Sequence, residues 1–145
     1  MKNIFYYLAA GLSFMISSAC HTAKQVNNDG NNTIARKWML KTIDSVDNDL
    51  VLKSKAYIDL TNDKNAGAKA GCNGMGFGIK YAGKNNIGFT QGMSTQMYCA
   101  EFMPAEHGLS AALLKVKKYS IDAHKITFID ATGKVLITGV AADWD

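Results

Sequence analysis

Gly71-Cys72-Asn73-Gly74-Met75-Gly76-Phe77-Gly78-Ile79-Lys80-Tyr81, running on to Met93-Ser94-Thr95-Gln96-Met97-Tyr98-Cys99, is the stretch whose reading decides the fold. Two of the three cysteines of the chain bracket it. If they face each other, the stretch is a covalently closed β unit, and the hydrophobic segments on either side complete its sheet and core. Asn73-Gly74 is its strongest short turn signal, because a type I′ turn needs positive φ at both central positions. Met75, Phe77, Ile79 and Tyr81 alternate with Gly74, Gly76 and Gly78, which predicts a strand with one bulky face and one nearly bare face. A bare face lets a second element approach closely or lets the strand bend sharply. A nucleotide loop over Gly74 to Gly78 would need strand, glycine turn and helix in that order, and this order is missing.

Upstream, Trp38-Met39-Leu40 and then Ile43 predict a first strand with Trp38 and Leu40 on one face. Asp44 to Asp49 supplies turn residues, and Leu50-Val51-Leu52 reads as a short strand. Ala56-Tyr57-Ile58-Asp59-Leu60 is a clearer strand, rich in aromatic and β-branched side chains. Thr61 to Gly67 breaks it, and the chain should be extended again from Ala68 to Cys72. Downstream, Gly83-Lys84-Asn85-Asn86 is a turn that leads to the extended segments Ile87-Gly88-Phe89 and then Gly92 to Tyr98. Pro104 pre-sets a first helical turn, and Leu109, Ala112, Leu113 and Val116 recur at helical spacing. Lys115, Lys117 and Lys118 near the end of that helix complement its dipole. Tyr119-Ser120-Ile121 resumes extended structure. Lys125 to Ile129 and Lys134 to Thr138 then flank Asp130-Ala131-Thr132-Gly133, a hairpin loop ending in glycine. These elements predict an α+β fold, a mostly antiparallel and strongly curved sheet of about eight strands packed with one helix.

The 145 residues are 48% hydrophobic and 19% charged, which suits one globular domain with a real core. Lys2 followed by the apolar run Ile4 to Ile16 has the form of an export signal, and the run is too short to span a bilayer, which takes about 20 residues. Ser17-Ser18-Ala19 supplies small residues ahead of Cys20 and resembles a bacterial lipobox, although Ser17 stands where Leu is usual. The alternative is an ordinary secretory signal with a cysteine beside its cleavage site. In the first reading Cys20 carries the acyl chains and becomes the mature amino terminus, and two or more chains make a stable anchor. Loss of the signal leaves 15 basic against 12 acidic residues. That balance is too mild and too scattered for a nucleic-acid surface. His21 to Thr33, with four asparagines and almost no apolar side chains, cannot offset its ordering entropy and reads as a tether. The predicted division is residues 1–19 signal peptide, 20–34 tether and 35–145 folded domain.

Trp38-x-Leu40, Gly71-Cys72-Asn73, Ser94-Thr95-x-Met97-x-Cys99, Glu106 with Leu113, Tyr119 and the Lys125-to-Thr138 hairpin are, in that order, landmarks of the META domain. The chain resembles the HslJ-like family over roughly Ala35 to Val140. It departs at Tyr98, where the family often has alanine, and in the tail from Ala141 to Asp145. The resemblance implies an envelope or cytosolic protein linked to heat or drug stress, with no reaction or ligand attached to the domain.

Cys72 and Cys99 admit three states. In an exported protein a disulfide is expected. Buried reduced thiols would act as small hydrophobes, and a tetrahedral metal site would have only His107 and His124 to add. Met75, Met93, Met97 and Met103 invite a copper site, since thioethers bind Cu(I), but methionine more often fills gaps in a core. Ser94, His107 and Asp130 could form a triad, yet no nucleophile elbow surrounds Ser94. Glu101 and Glu106 flank Pro104 at a spacing that does not face two carboxylates across a substrate, and Glu106 suits the first turn of the helix. The expectation is therefore no catalytic residue, no metal and no cofactor. The protein should be a non-catalytic module, lipid-anchored in the cell envelope and facing the periplasm from the outer membrane. Its partners would be the membrane and an envelope protein. The second class is a carrier of a small apolar ligand, favoured by a cavity lined by residues such as Phe77, Met97 and Phe128.

Overall fold

The computed structural model describes residues 33–144, so the predicted signal segment and Cys20 lie outside the described residues. The first strand, β1 (Lys37–Ile43), buries Trp38 and Leu40 by simple alternation, and Ile43 joins them three residues later. Pairing with β10 (Val135–Ala141) explains the change of phase. Leu40 opposes Gly139 while Thr42 opposes Thr138, so Lys41 is an extra residue that resets the alternation. A second irregularity between Val135 and Ile137 lets Leu136 and Ile137 both be buried.

Leu50-Val51-Leu52 is helical, contrary to expectation, and lies in α1 (Asn48–Lys53). The Asp47 carboxylate accepts the Leu50 N–H at 3.0 Å and so caps the helix, while Asp49 occupies its first turn. Only Val51 of the three apolar residues is buried, as one inward position per turn requires.

The strands that follow are β2 (Tyr57–Asp59), β3 (Gly67–Lys69) and β4 (Gly74–Gly76). The single strand expected from Met75 to Tyr81 is in fact broken. Its second half is β5 (Ile79–Tyr81), which leaves the main sheet and pairs only with β6 (Ile87–Phe89). The break falls at Gly78, whose N–H donates to Thr90 Oγ1 at 2.9 Å and whose carbonyl accepts the Thr90 N–H at 2.9 Å. The bare face thus served the sharp bend. Of the expected extended run after Gly92, only β7 (Met93–Ser94) is a strand. Helix α2 (Met103–Lys115) follows, then β8 (Lys118–Asp122) and β9 (Lys125–Ile129).

Eight strands form one antiparallel sheet in the order β7-β4-β3-β2-β1-β10-β9-β8. The β5-β6 ribbon reaches β8 through the Ile87 N–H on the Lys117 carbonyl and the Tyr119 N–H on the Asn85 carbonyl. The open sheet is therefore braced across its ends. Helix α2 lays Ala105, Leu109, Ala112 and Leu113 into the core against β1, β6 and β10. An edge-to-face series runs from Phe77 through Phe89 to Phe128, with centroids 5.0 and 5.7 Å apart. The fold is α+β as predicted, with ten strands and two α-helices among the described residues where about eight and one were expected.

Candidate functional site: a clamped groove beside helix α2

The site begins at Gly71. Its φ is +86°, and a Cβ there would stand 2.3 Å from Cβ of Phe102, so only glycine fits this bend. Asn73-Gly74 does not form the type I′ turn expected of it, since neither residue has positive φ. Asn73 is instead a buried hub. Its Nδ2 donates to the Met97 carbonyl at 2.9 Å and to Glu106 Oε2 at 2.7 Å, and its Oδ1 accepts from Thr95 Oγ1 and the Met97 N–H, both at 2.8 Å. That exhausts the hydrogen-bonding capacity of the amide side chain. Glu106 Oε1 also accepts the backbone N–H groups of Cys72 and Asn73, at 3.1 and 3.0 Å.

Burial works against the charged form of Glu106. The bonds from the Asn73 side chain and the two backbone N–H groups outweigh it, with a smaller pull from His107, and hold the carboxyl below its ordinary range. Cys72 and Cys99 are joined in a disulfide with Cα atoms 6.4 Å apart, so they are not metal ligands. The Cys99 carbonyl then accepts the N–H groups of Phe102 and Met103, which leads the chain directly into α2. Each half of the cysteine signature thus has a mechanical role. Gly71 allows the bend, Cys72 and Cys99 close it, and Asn73 with Glu106 ties the Thr95 hydroxyl and the Met97 backbone to the helix.

Between that tied segment and α2 lies a cavity of about 450 Å³, with Met75, Phe77, Met97, Tyr98, Met103 and His107 in its wall. It is built by β4 with Phe77 beyond it, by the segment that runs from Thr90 through β7 to Tyr98, and by one face of the helix. Four of the five methionines between Thr33 and Trp144 line this one groove, Met93 being the fourth. Met93 and Met97 are 87% and 56% exposed, so the expected role of gap filler in the core does not hold for them.

Ser94 and His107 both reach the groove, but Ser94 Oγ donates to the Thr95 carbonyl at 3.0 Å. Asp130 spends its carboxylate in the β9–β10 loop on Thr132 and on the Lys134 N–H. The three are not assembled into a triad. Glu101 pairs with Lys53 at the surface, apart from Glu106. His124 stacks on Trp144 with centroids 3.3 Å apart, and Asp143 pairs with Arg36 at 2.5 Å, so residues 143 and 144 each touch the domain although both are exposed. Asn73 and Glu106 are the residues that sequence reasoning missed as partners. One sign was readable: Glu106 stands three and seven residues before Leu109 and Leu113, a carboxylate on the apolar stripe of the helix.

An open antiparallel sheet braced by a ribbon, with one long helix tied to it through a buried asparagine, a carboxylate and a disulfide, defines a small α+β domain whose signature residues are structural. The chain belongs to the META-domain family, whose model matches residues 31–143. That family is of an envelope type and is not a known catalytic one. No curated protein and no solved structure matches the chain.

Proposed function

We propose that the protein is a lipid-anchored, non-catalytic module of the cell envelope that binds an envelope protein through the groove beside α2, in a stress-related role. The observation that carries this reading is the pairing of a fixed wall with an exposed apolar face. Tyr98 and Met97 are 85% and 56% exposed, yet the Met97 backbone is held at both its N–H and its carbonyl by Asn73. Tyrosine and methionine are enriched at protein interfaces, and a pre-ordered wall lowers the entropy cost of binding. The test is a photo-cross-linking residue placed at position 98 of the full-length protein in intact cells, with position 132 on the β9–β10 loop as control. A discrete adduct from 98 alone is expected. The same adducts from both positions, or none from 98, would sink the reading.

A second reading, a carrier of a small apolar ligand, is favoured by the size of the groove, since ligand pockets run from about 300 to 1,000 Å³. Phe77 and Met97 line it as that reading expects, whereas Phe128 is buried in the core and does not. Saturable uptake of an apolar fluorescent dye, abolished by Met97→Glu, is the outcome it requires.

A further inference from the structure

The methionines of the groove are chemically unusual in their company. Met103 and His107 stand one helical turn apart on α2, and both line the cavity. Residues at this spacing are neighbours on a helix surface, with Cβ atoms about 5–6 Å apart. Glu106, between them in sequence, is tied to Asn73, and Asn73 in turn holds the Met97 backbone by two hydrogen bonds. The same clamp that ties the loop to the helix therefore fixes the Met97 backbone in the wall of the cavity that Met103 and His107 also line. Met75 of β4, half-buried against the core, completes the wall.

We propose that Met97, Met103 and His107, with Met75 as the fourth donor, form a binding site for a soft monovalent cation, Cu(I) or Ag(I). The donor set selects this class. Among the described residues no group of three or more His, Cys, Asp or Glu could hold a metal ion, and the thiols of Cys72 and Cys99 are consumed in their disulfide. Zinc prefers thiolate, imidazole and carboxylate donors, and calcium and magnesium require several oxygens. Thioethers with a single imidazole suit Cu(I) instead. The nearest carboxylate in the groove, Glu106, has its oxygens occupied by the N–H groups of Asn73 and Cys72, so it supplies compensating charge without serving as a ligand. Packing alone leaves the arrangement unexplained, because a side chain as exposed as that of Met97 fills no core.

The proposal rests on the groove being a binding site, and its test separates the two claims. Ag(I) is titrated into the full-length, detergent-solubilised protein, with uptake read by native mass spectrometry and by methyl resonances of labelled methionine. One equivalent should bind, shifting the methyl signals of Met75, Met97 and Met103 and leaving that of Met39 in place. Met97→Leu, Met103→Leu and His107→Gln, which conserve volume and should keep the fold, should each weaken uptake by at least about tenfold. Absence of uptake, uptake unaffected by these three changes, or shifts confined to Met93 and Met39 each overturn the metal site. If uptake fails while cross-linking from position 98 persists, only the metal site is lost. Cross-linking that fails while uptake holds removes only the protein partner.

Discussion

Asn73 is the residue on which the site turns, because its amide is shared between the loop and the helix with no capacity left over. Asn73→Ala would leave the Met97 N–H and carbonyl unpartnered and strip Glu106 of its side-chain donor, at a cost on the order of 3 kcal/mol in a urea melt. Asn73→Asp should cost more, since it sets a second carboxylate against Glu106. A loss under about 1 kcal/mol in either variant would show that the clamp contributes little. Glu106 adds a pH dependence whose sign follows from its lowered carboxyl. The stabilisation is fully present above the ordinary value of about 4.3 and is lost as pH falls through the lower folded value. Glu106→Gln should therefore be less stable at pH 7 yet lose less further stability between about pH 5 and 2 than the parent protein. Parallel pH curves for the two would exclude this role.

At the scale of elements, the β3-to-α2 segment is closed by a disulfide across a sequence separation of 27 residues. The chain-entropy model gives such a loop about 3–4 kcal/mol through the unfolded state. A Cys72→Ser/Cys99→Ser double variant should lose stability of that order by denaturant titration, and an unchanged midpoint would refute the estimate. Helix α1 makes a smaller case: Asp47→Ala removes its cap and should cost about 1 kcal/mol. The elements also show what the chain discloses of itself. Helix α2 and the β9–β10 hairpin were legible because their periods and their turn residues, Pro104 and Gly133, are local signals. Three apolar residues at 50–52 carry no period, so the Asp47 cap decided for helix. The break at Gly78 depends on Thr90 and on the bracing of the ribbon by β8, partners that a run of alternating glycines does not reveal. The Asn73–Glu106 tie spans 33 residues, and only the misplaced carboxylate on the apolar stripe hinted at it.

For the whole molecule, the envelope reading depends on Cys20. If that residue is lipidated, Cys20→Ala should shift the protein from the membrane fraction to soluble material or block its maturation, as read by fractionation and intact mass. A variant that stays membrane-bound with an unchanged processed mass would remove the anchor. The groove belongs to this scale too, since it exists only where sheet, disulfide loop and helix meet. Its central requirement is that the loop after β7, exposed along residues 95–98, is nonetheless held by Asn73. Amide hydrogen exchange of Met97 tests this most directly. The clamp predicts exchange at least about a hundredfold slower than in an unstructured peptide, with protection lost in a folded Asn73→Ala protein. A Met97 amide that exchanges at the unstructured rate in the parent protein would contradict the clamped groove.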